Sequence, residues 1–389
     1  MKINTLKIDN INGIEHLDLQ FNPGINIICG PNGIGKTTIL ECIAHAFVHQ
    51  RATIIRRKAN ATNAEFSINI DIAESVLTQS FTISSFEPES YSEIWSPFLH
   101  HSKYLLSLKS TRDFSYTRID AIHRDVTKDL HVHANEASTG VGTADVKSWL
   151  VSRIINSYAP DMLTSEQIHN LEHTKKYFSF LDNRFSYSKM TRDTYDILIN
   201  TPTGEIYYEY LSSGFKACLA MLLGITKEIE LRFTNPRIKI EDFSGVILVD
   251  EVELHLHPEW QAKTPEILKA AFPSAQIILT THSPHVIQSA QAEDIIALEK
   301  QSDSTTRRSL PASDFGFQGW TVEEVLKDVM GMPDTRTPAY HEAMKAFENA
   351  IDQENYEEAL SAYSQLDELL HPENHLRKLL SFQLGALKG

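Results

Sequence analysis

Cysteine is scarce. The 389-residue chain holds three, at positions 29, 42 and 218, and no CxxC pair, which argues against a disulfide framework and against a zinc site. No stretch approaches the ~20 uninterrupted apolar residues of a membrane helix. The N-terminal MKINTLKIDN is a broken polar-apolar alternation and not a signal peptide, so a cytoplasmic protein without membrane contact is expected. Glycine (16) and proline (15) are too few for a low-complexity or fibrous chain. Basic residues are also in deficit, 36 Lys and Arg against 51 Asp and Glu, for a formal charge of −15. That balance disfavours a protein that coats nucleic acid through bulk charge, though local basic patches stay open. There is no repeat of fixed period and no sustained heptad array. What is present, 42% hydrophobic and 22% charged residues, describes a globular chain with room for two or three domains of roughly 100–200 residues each.

Along the chain, Leu17, Leu19 and Phe21 alternate with polar residues as in a half-buried strand, and Ile25 to Cys29 reads as a short apolar strand after the Asn22-Pro23-Gly24 turn. A glycine loop, 30–37, follows, then an apolar helical face from Thr38 to about Gln50. Beyond a strand at 66–70, a stretch rich in Ser, His and aromatics shows no clear period. Later elements are clearer: a helix over 145–158, a hairpin at 194–201 and 205–210, an apolar helix over 214–231, buried strands at 244–250 and 275–280, and a helix at 259–271 between those two. Residues 301–306 read as a polar linker or surface loop. Start signals then place helices at 339–352, 356–370 and 373–387.

Gly30-Pro31-Asn32-Gly33-Ile34-Gly35-Lys36-Thr37 fits GxxxxGK[ST] in full, between a strand and a helix that begins with Thr38. Glycines let successive backbone N–H groups turn toward phosphate oxygens, and the helix N-terminus adds partial positive charge. Lys36 is placed to reach the β- and γ-phosphates, and the Thr37 hydroxyl to ligate Mg²⁺. The apolar run Gly245 to Val249 ends in Asp250-Glu251; Asp250 is the candidate Mg²⁺ holder and Glu251 the candidate for polarising an attacking water. ATP and Mg²⁺ are the expected cofactors. Leu211-Ser212-Ser213-Gly214 precedes a long helix, and Thr281-His282-Ser283-Pro284 follows the second buried strand. On their own these read as an N-cap and a strand-end histidine.

In this order and spacing, the glycine loop, LSSG, ILVDE and THSP resemble the ATP-binding-cassette ATPases. The resemblance implies an α/β head, a mixed sheet flanked by helices. It also implies LSSG as the signature turn, His282 as the switch histidine, and two heads sandwiching ATP. Ser212, Ser213 and Gly214 then act in trans, in a homo-oligomer.

The stretch Glu251 to Pro258 (EVELHLHP) resembles the DEPE-x-HLHP segment of the branch that holds the OLD-like, RecF and SMC ATPases, with Val252 in place of the usual proline. His255 and His257 could be read as a metal pair, but shaping of the inter-head loop is the preferred reading. Lys36 and Leu211 are 175 residues apart without a heptad seam, unlike an SMC or Rad50 arm. Fewer than 110 residues follow Pro284, with no carboxylate cluster for a two-metal nuclease. The segments 317–326 (FQGWTVEEVL), 329–332 (VMGM) and 355–359 (NYEEA) resemble the tail of the PtuA-type ATPases of the Septu and retron phage-defence systems. That resemblance implies an ATPase subunit that regulates a partner HNH nuclease, PtuB-like, and reaches DNA through the complex. Alternatives are a RecF-like ATPase that binds DNA directly and a nucleotide-switched scaffold without hydrolysis. The expected organisation is a head at 1–70 and 190–300, an inserted lobe at 71–189, and a C-terminal helical partner-binding region at 310–389.

Two departures point to slow hydrolysis. Asn12 stands near the position where many relatives carry an arginine, and neither Gln50 nor Gln79 is a convincing bridge between Mg²⁺ and water. The basic cluster Arg51, Arg56, Arg57 and Lys58 reads first as solvated surface and second as a DNA or nucleotide contact. Residues 341–370 hold eight acids and one base, Lys345, concentrating the negative charge on a helical hairpin suited to a basic partner.

Overall fold

Strands whose residues are apolar without interruption are buried on both faces, and here they build a parallel sheet. The computed structural model describes residues 1–389 except 73–74, 111–124, 144, 302–303, 312–314, 333, 335 and 388–389. The chain opens with an antiparallel pair, β1 (Lys2–Ile11) and β2 (Ile14–Gln20), then β3 (Ile25–Cys29) and α1 (Lys36–His45). There follow β4 (His49–Ala52), β5 (Glu65–Ile72), β6 (Ser75–Thr82), β7 (Ser92–Trp95), β8 (Leu105–Leu108), α2 (Leu130–Thr139), α3 (Val146–Ser157) and α4 (Ser165–Leu181). The hairpin strands β9 (Ser186–Met190), β10 (Ile197–Thr201) and β11 (Gly204–Tyr207) lead into α5 (Ser213–Arg232). Next come β12 (Val246–Val249), α6 (Pro258–Ala271), β13 (Gln276–Thr280), α7 (Pro284–Ser289), β14 (Ile295–Gln301) and β15 (Ser304–Arg307).

The main sheet runs β15-β14-β3-β13-β12-β8, parallel except for the edge strand β15. A second sheet, β2-β1-β5-β6, is antiparallel throughout. Alternation along the parallel strands divides the head into two cores. Ile28, Leu105, Val246, Leu248, Ile278, Ile296 and Leu298 face α1 and the antiparallel sheet. Ile27, Leu106, Ile247, Val249, Ile277, Leu279 and Ala297 face the other way, into the first core, formed with α3 to α7; the core around α1 is the second. The head is thus an α/β unit, a mixed sheet flanked by helices, with the glycine-loop helix between the two sheets.

One buried amide joins the sheets and a second closes the turn between them. Gln276, fully buried, accepts from the Ile3 N–H at 2.7 Å and donates to the carbonyls of Ile3 and Asn22, both at 2.8 Å. Asn26 closes the Asn22 turn with bonds of 2.7 and 2.9 Å to its backbone. Leaving such groups unpaired would cost about 1–3 kcal/mol each.

Three regions differ from the pattern reading. The first helix ends at His45, not near Gln50, because 49–52 pair with β7 some forty residues on, which no local period reveals. The expected polar linker or surface loop at 301–306 instead belongs to an antiparallel pair; Leu298↔Arg307 to Gln301↔Ser304 are in register, while 302–303 lie outside the described residues. Within 71–189, apart from the undescribed 73–74, 111–124 and 144, β8 forms the edge of the main sheet and α3 and α4 line the first core. The Arg232 guanidinium, fully buried on α5, holds this edge by donating to the carbonyls of Ser102 (3.2 Å) and Leu105 (2.7 Å).

The chain divides into two compact units, 1–332 and 333–389. Phe317, Val325, Val329 and Met330 are buried in the first core, with the single turn α8 (Val322–Glu324) running into a π-turn, Val325–Val329. The second unit comprises α9 (Pro338–Asp352), α10 (Tyr356–Leu369) and α11 (His375–Ala386), packed through Phe347, Ala359, Leu366, Leu380 and Leu384. Each helix has a side-chain N-cap, from Thr337, Asn355 and Asn374 respectively. Among the described residues no helix is long and apolar enough to cross a membrane.

Candidate functional site: a phosphate-binding loop and its facing carboxylates

The glycine loop leaves β3 at the middle of the parallel sheet and enters α1 at Lys36. Gly30, Gly33 and Gly35 all take positive φ. Gly35, at φ 110°, is the N-cap of α1 and offers no side-chain acceptor to the helix amides. A Cβ there would fall 2.7 Å from Ile14 Cδ1, so only glycine fits. Ile34 is buried in the second core and anchors the loop, while Asn32 and Gly33 stay exposed. Lys36 is 5% exposed and folds back over the loop, its Nζ donating to the carbonyls of Gly30 (2.8 Å) and Pro31 (3.0 Å). Burial pulls the Lys36 pKa down, opposed by Cys29 and by the carboxylates of Glu253, Asp250 and Glu251.

Parallel neighbours place the other groups. β12 ends at Val249 and hands over to Asp250, whose carboxylate accepts from Thr37 Oγ1 at 3.2 and 3.3 Å. β13, alongside, ends at Thr280, whose hydroxyl donates to Asp250 Oδ1 at 2.6 Å and accepts from the Glu251 N–H at 2.8 Å. Glu251 itself sits at φ 47°, a left-handed conformation that non-glycine residues seldom adopt. The half-buried Glu253 reaches the loop after β13, accepting from the His282 N–H (2.6 Å) and from Thr281 Oγ1 (2.8 Å). Burial, and then the Lys36 ammonium, lowers the pKa of His282, which keeps the ring neutral near pH 7.

Lys36, Thr37, Asp250, Glu251 and His282, each expected from pattern, therefore meet at the ends of β3, β12 and β13. Thr38 belongs to the rim: its Oγ1 accepts from Asn12 Nδ2 at 3.2 Å, and Asn12 Oδ1 accepts the Arg56 N–H at 2.8 Å. Asn12 thus ties the α1 start to the 54–57 loop. Thr280 and Glu253 are missing from the pattern reading. Their signals are faint: a doubled threonine before His282, and the second acid of a Glu-x-Glu.

The LSSG turn stands apart from this cluster. Ser212 caps α5 by accepting the Phe215 N–H at 3.3 Å, and both Ser212 and Ser213 are exposed. Gly214 is buried against α6; a Cβ there would lie 3.1 Å from Trp260 Cδ1 and 3.4 Å from the His257 nitrogen. His257 is the N-cap of α6, His255 is exposed at φ 64°, and the described residues hold no group of three metal-ligating side chains. Gln50 Nε2 bonds Ser138 Oγ, and Gln79 Nε2 donates to the Ser80 carbonyl on β6. Arg56 gives its guanidinium to the carbonyls of Glu87, Pro88 and Ser90, Arg57 donates to the Ala61 carbonyl, and Lys58 pairs with Glu15 at 3.3 Å. Arg51 lies 4.0 Å over the Tyr91 ring.

The donor set of Thr37 and Asp250, one hydroxyl and one carboxylate, is the hard-oxygen chemistry that suits Mg²⁺. An uncapped helix start beside a buried lysine suits phosphate.

Residues 25–288 match the family model described as "AAA domain, putative AbiEii toxin, Type IV TA system". The Septu protein PtuA of Bacillus thuringiensis is 43% identical over 98% of this chain and 98% of its own. The "Retron Ec83 probable ATPase" of Escherichia coli is 22% identical, over 92% of this chain and 81% of its own. The SMC head domain from Thermotoga maritima superposes with a TM-score of 0.48 at 15% identity, covering 80% of this chain and 100% of that one. With its glycine loop, paired carboxylates and full-length match in place, the chain belongs to the PtuA family of P-loop ATPases.

Proposed function

We propose that this protein is the ATP-binding, slowly hydrolysing ATPase subunit of an antiphage defence complex. It acts as a homo-oligomer and regulates a partner HNH nuclease docked on its C-terminal helices. The observation that carries the reading is the convergence of Lys36, Thr37, Asp250, Glu251 and His282 on one loop, with distances of 2.6–3.3 Å inside the carboxylate cluster.

When bound, ATP would supply the phosphoanhydride, and Mg²⁺, for which Thr37 Oγ1 and Asp250 are the residues that would hold it, would offset charge on the terminal oxygens. The chain's own groups do the rest. The amides of the loop and of the first turn of α1 bind phosphate oxygens. Lys36 exchanges two carbonyl partners for a charge-assisted contact. Glu251 takes the proton of the attacking water. The neutral His282 offers a ring nitrogen on the same side.

Slow turnover is supported by Gln50 and Gln79, whose amides bond elsewhere. Action of Ser212, Ser213 and Gly214 on a second copy's nucleotide is supported by the exposure of both serines. Direct DNA binding is not favoured, because Arg56, Arg57 and Lys58 already serve carbonyls and Glu15. The partner surface is assigned to the acidic face of 341–370. Reversing Glu357 and Glu358 to lysine should abolish co-purification with an HNH protein encoded beside this chain. Retained binding would remove that surface. The purified chain alone should not cut DNA with Mg²⁺ or Mn²⁺; cleavage would overturn the two-subunit reading.

A further inference from the structure

Thr280 belongs to none of the motifs that define the site, yet three bonds run from it to the tripeptide carrying the carboxylates. Its hydroxyl proton goes to Asp250 Oδ1 at 2.6 Å, its oxygen accepts the Glu251 N–H at 2.8 Å, and its carbonyl accepts the Val252 N–H at 3.0 Å. The residue is 1% exposed, so no water competes for these groups.

A hydroxyl has one proton. Because the Glu251 amide occupies an acceptor position of the oxygen, the geometry leaves that proton to the carboxylate. One side chain on β13 therefore fixes both carboxyl-bearing residues of the neighbouring strand. It orients Asp250, which faces Thr37, and it clamps the left-handed turn at Glu251 (φ 47°) that aims the second carboxylate. Glu253 returns the link in the opposite direction, from the loop after β12 to the Thr281 hydroxyl and the His282 amide. The ends of β12 and β13 are thus locked reciprocally.

We infer that Thr280 is the positioning residue of the site: through its hydroxyl it holds Asp250 for the divalent cation and Glu251 for the water, without touching nucleotide itself. The inference rests on the ATPase reading above. It makes a statement that reading does not, because a strand-end threonine that merely fills space would be replaced without loss by valine, its isostere.

The test uses full-length wild type and the series Thr280→Ser, Thr280→Cys and Thr280→Val. ATP affinity is measured in EDTA by equilibrium titration. Mn²⁺, the EPR-visible substitute for Mg²⁺, is then titrated into the ATP-loaded proteins. Metal-free ATP affinity should stay within about threefold across the series, since the glycine loop is untouched. Mn²⁺ affinity should fall about 10–100-fold for valine, as for loss of a hydrogen-bond partner behind a metal ligand. Cysteine, a weak donor and weak acceptor, should lie between, and serine should retain the wild-type value. If the valine variant does not fold, the serine–cysteine difference carries the same comparison. A flat series of Mn²⁺ affinities would overturn the inference, and so would a serine variant as defective as valine. A wild type that binds no ATP would instead overturn the ATPase reading, and this inference with it.

Discussion

Two helices begin at candidate functional turns, and they begin differently. α1 starts at Gly35, in a left-handed conformation, with no side chain capping its amides and a buried lysine folded over the loop. α5 starts at Ser212, whose hydroxyl already accepts a helix amide, with Ser212 and Ser213 facing solvent. Orphan amides at a helix start need an acceptor. The α1 terminus leaves its amides open to a ligand, while the α5 terminus has one amide capped by its own chain and keeps Ser212 and Ser213 exposed. The first is a site built within one chain. On the proposed function, the second is a contact offered to another copy.

The largest effect should follow from breaking the first terminus. Lys36→Ala removes a charged contact to phosphate, a loss of about 3 kcal/mol or about 100-fold in affinity, read by titration with a fluorescent ATP analogue. Next, Glu251→Gln should keep ATP affinity close to wild type while phosphate release slows about 100-fold or more; failure of this variant to bind ATP would make Glu251 a structural residue. Ser212→Ala probes the second terminus. It should lower stability by about 1 kcal/mol through the lost cap, seen in the melting temperature. Turnover should drop as well, with ATP affinity falling far less than for Lys36→Ala.

The smallest effect at neutral pH concerns the far end of α5, where His133 is buried near Arg232, Lys128, Glu228 and Asp129. Burial, reinforced by Arg232 and Lys128, pushes its pKa down to about 4 from 6.5. As pH falls below 6.5 the unfolded chain takes up this proton first. The stabilisation present above pH 6.5 is therefore lost progressively toward pH 4. A His133→Asn variant should show a shallower decline in melting temperature over that window.

The elements that sequence made legible are those held by local order. Ile25 to Thr37 reads as strand, loop and helix because the apolar run, the glycines and the lysine are contiguous, and Val246 to Glu251 is legible for the same reason. β8 was not legible. It has four residues, and its place at the sheet edge depends on β12 and on Arg232, far along the chain. Residues 49–50, the first half of β4, read as the end of the first helix because the pairing partner β7 lies some forty residues away. At the site, glycine, lysine and the Asp-Glu pair announce phosphate chemistry by type and spacing. Thr280 and Glu253 act only through bonds between neighbouring strand ends, and such bonds have no sequence period.

The claim that a complete site needs the glycine loop of one copy and the LSSG turn of another is tested most directly by co-expressing two inactive variants. One carries Lys36→Ala and the other Ser212→Arg, under distinguishable tags. Each homo-oligomer should be inactive in phosphate release. The doubly purified mixed oligomer should regain activity, because one of its interfaces joins an intact Lys36 to an intact Ser212. A mixed oligomer as inactive as both parents would contradict the account.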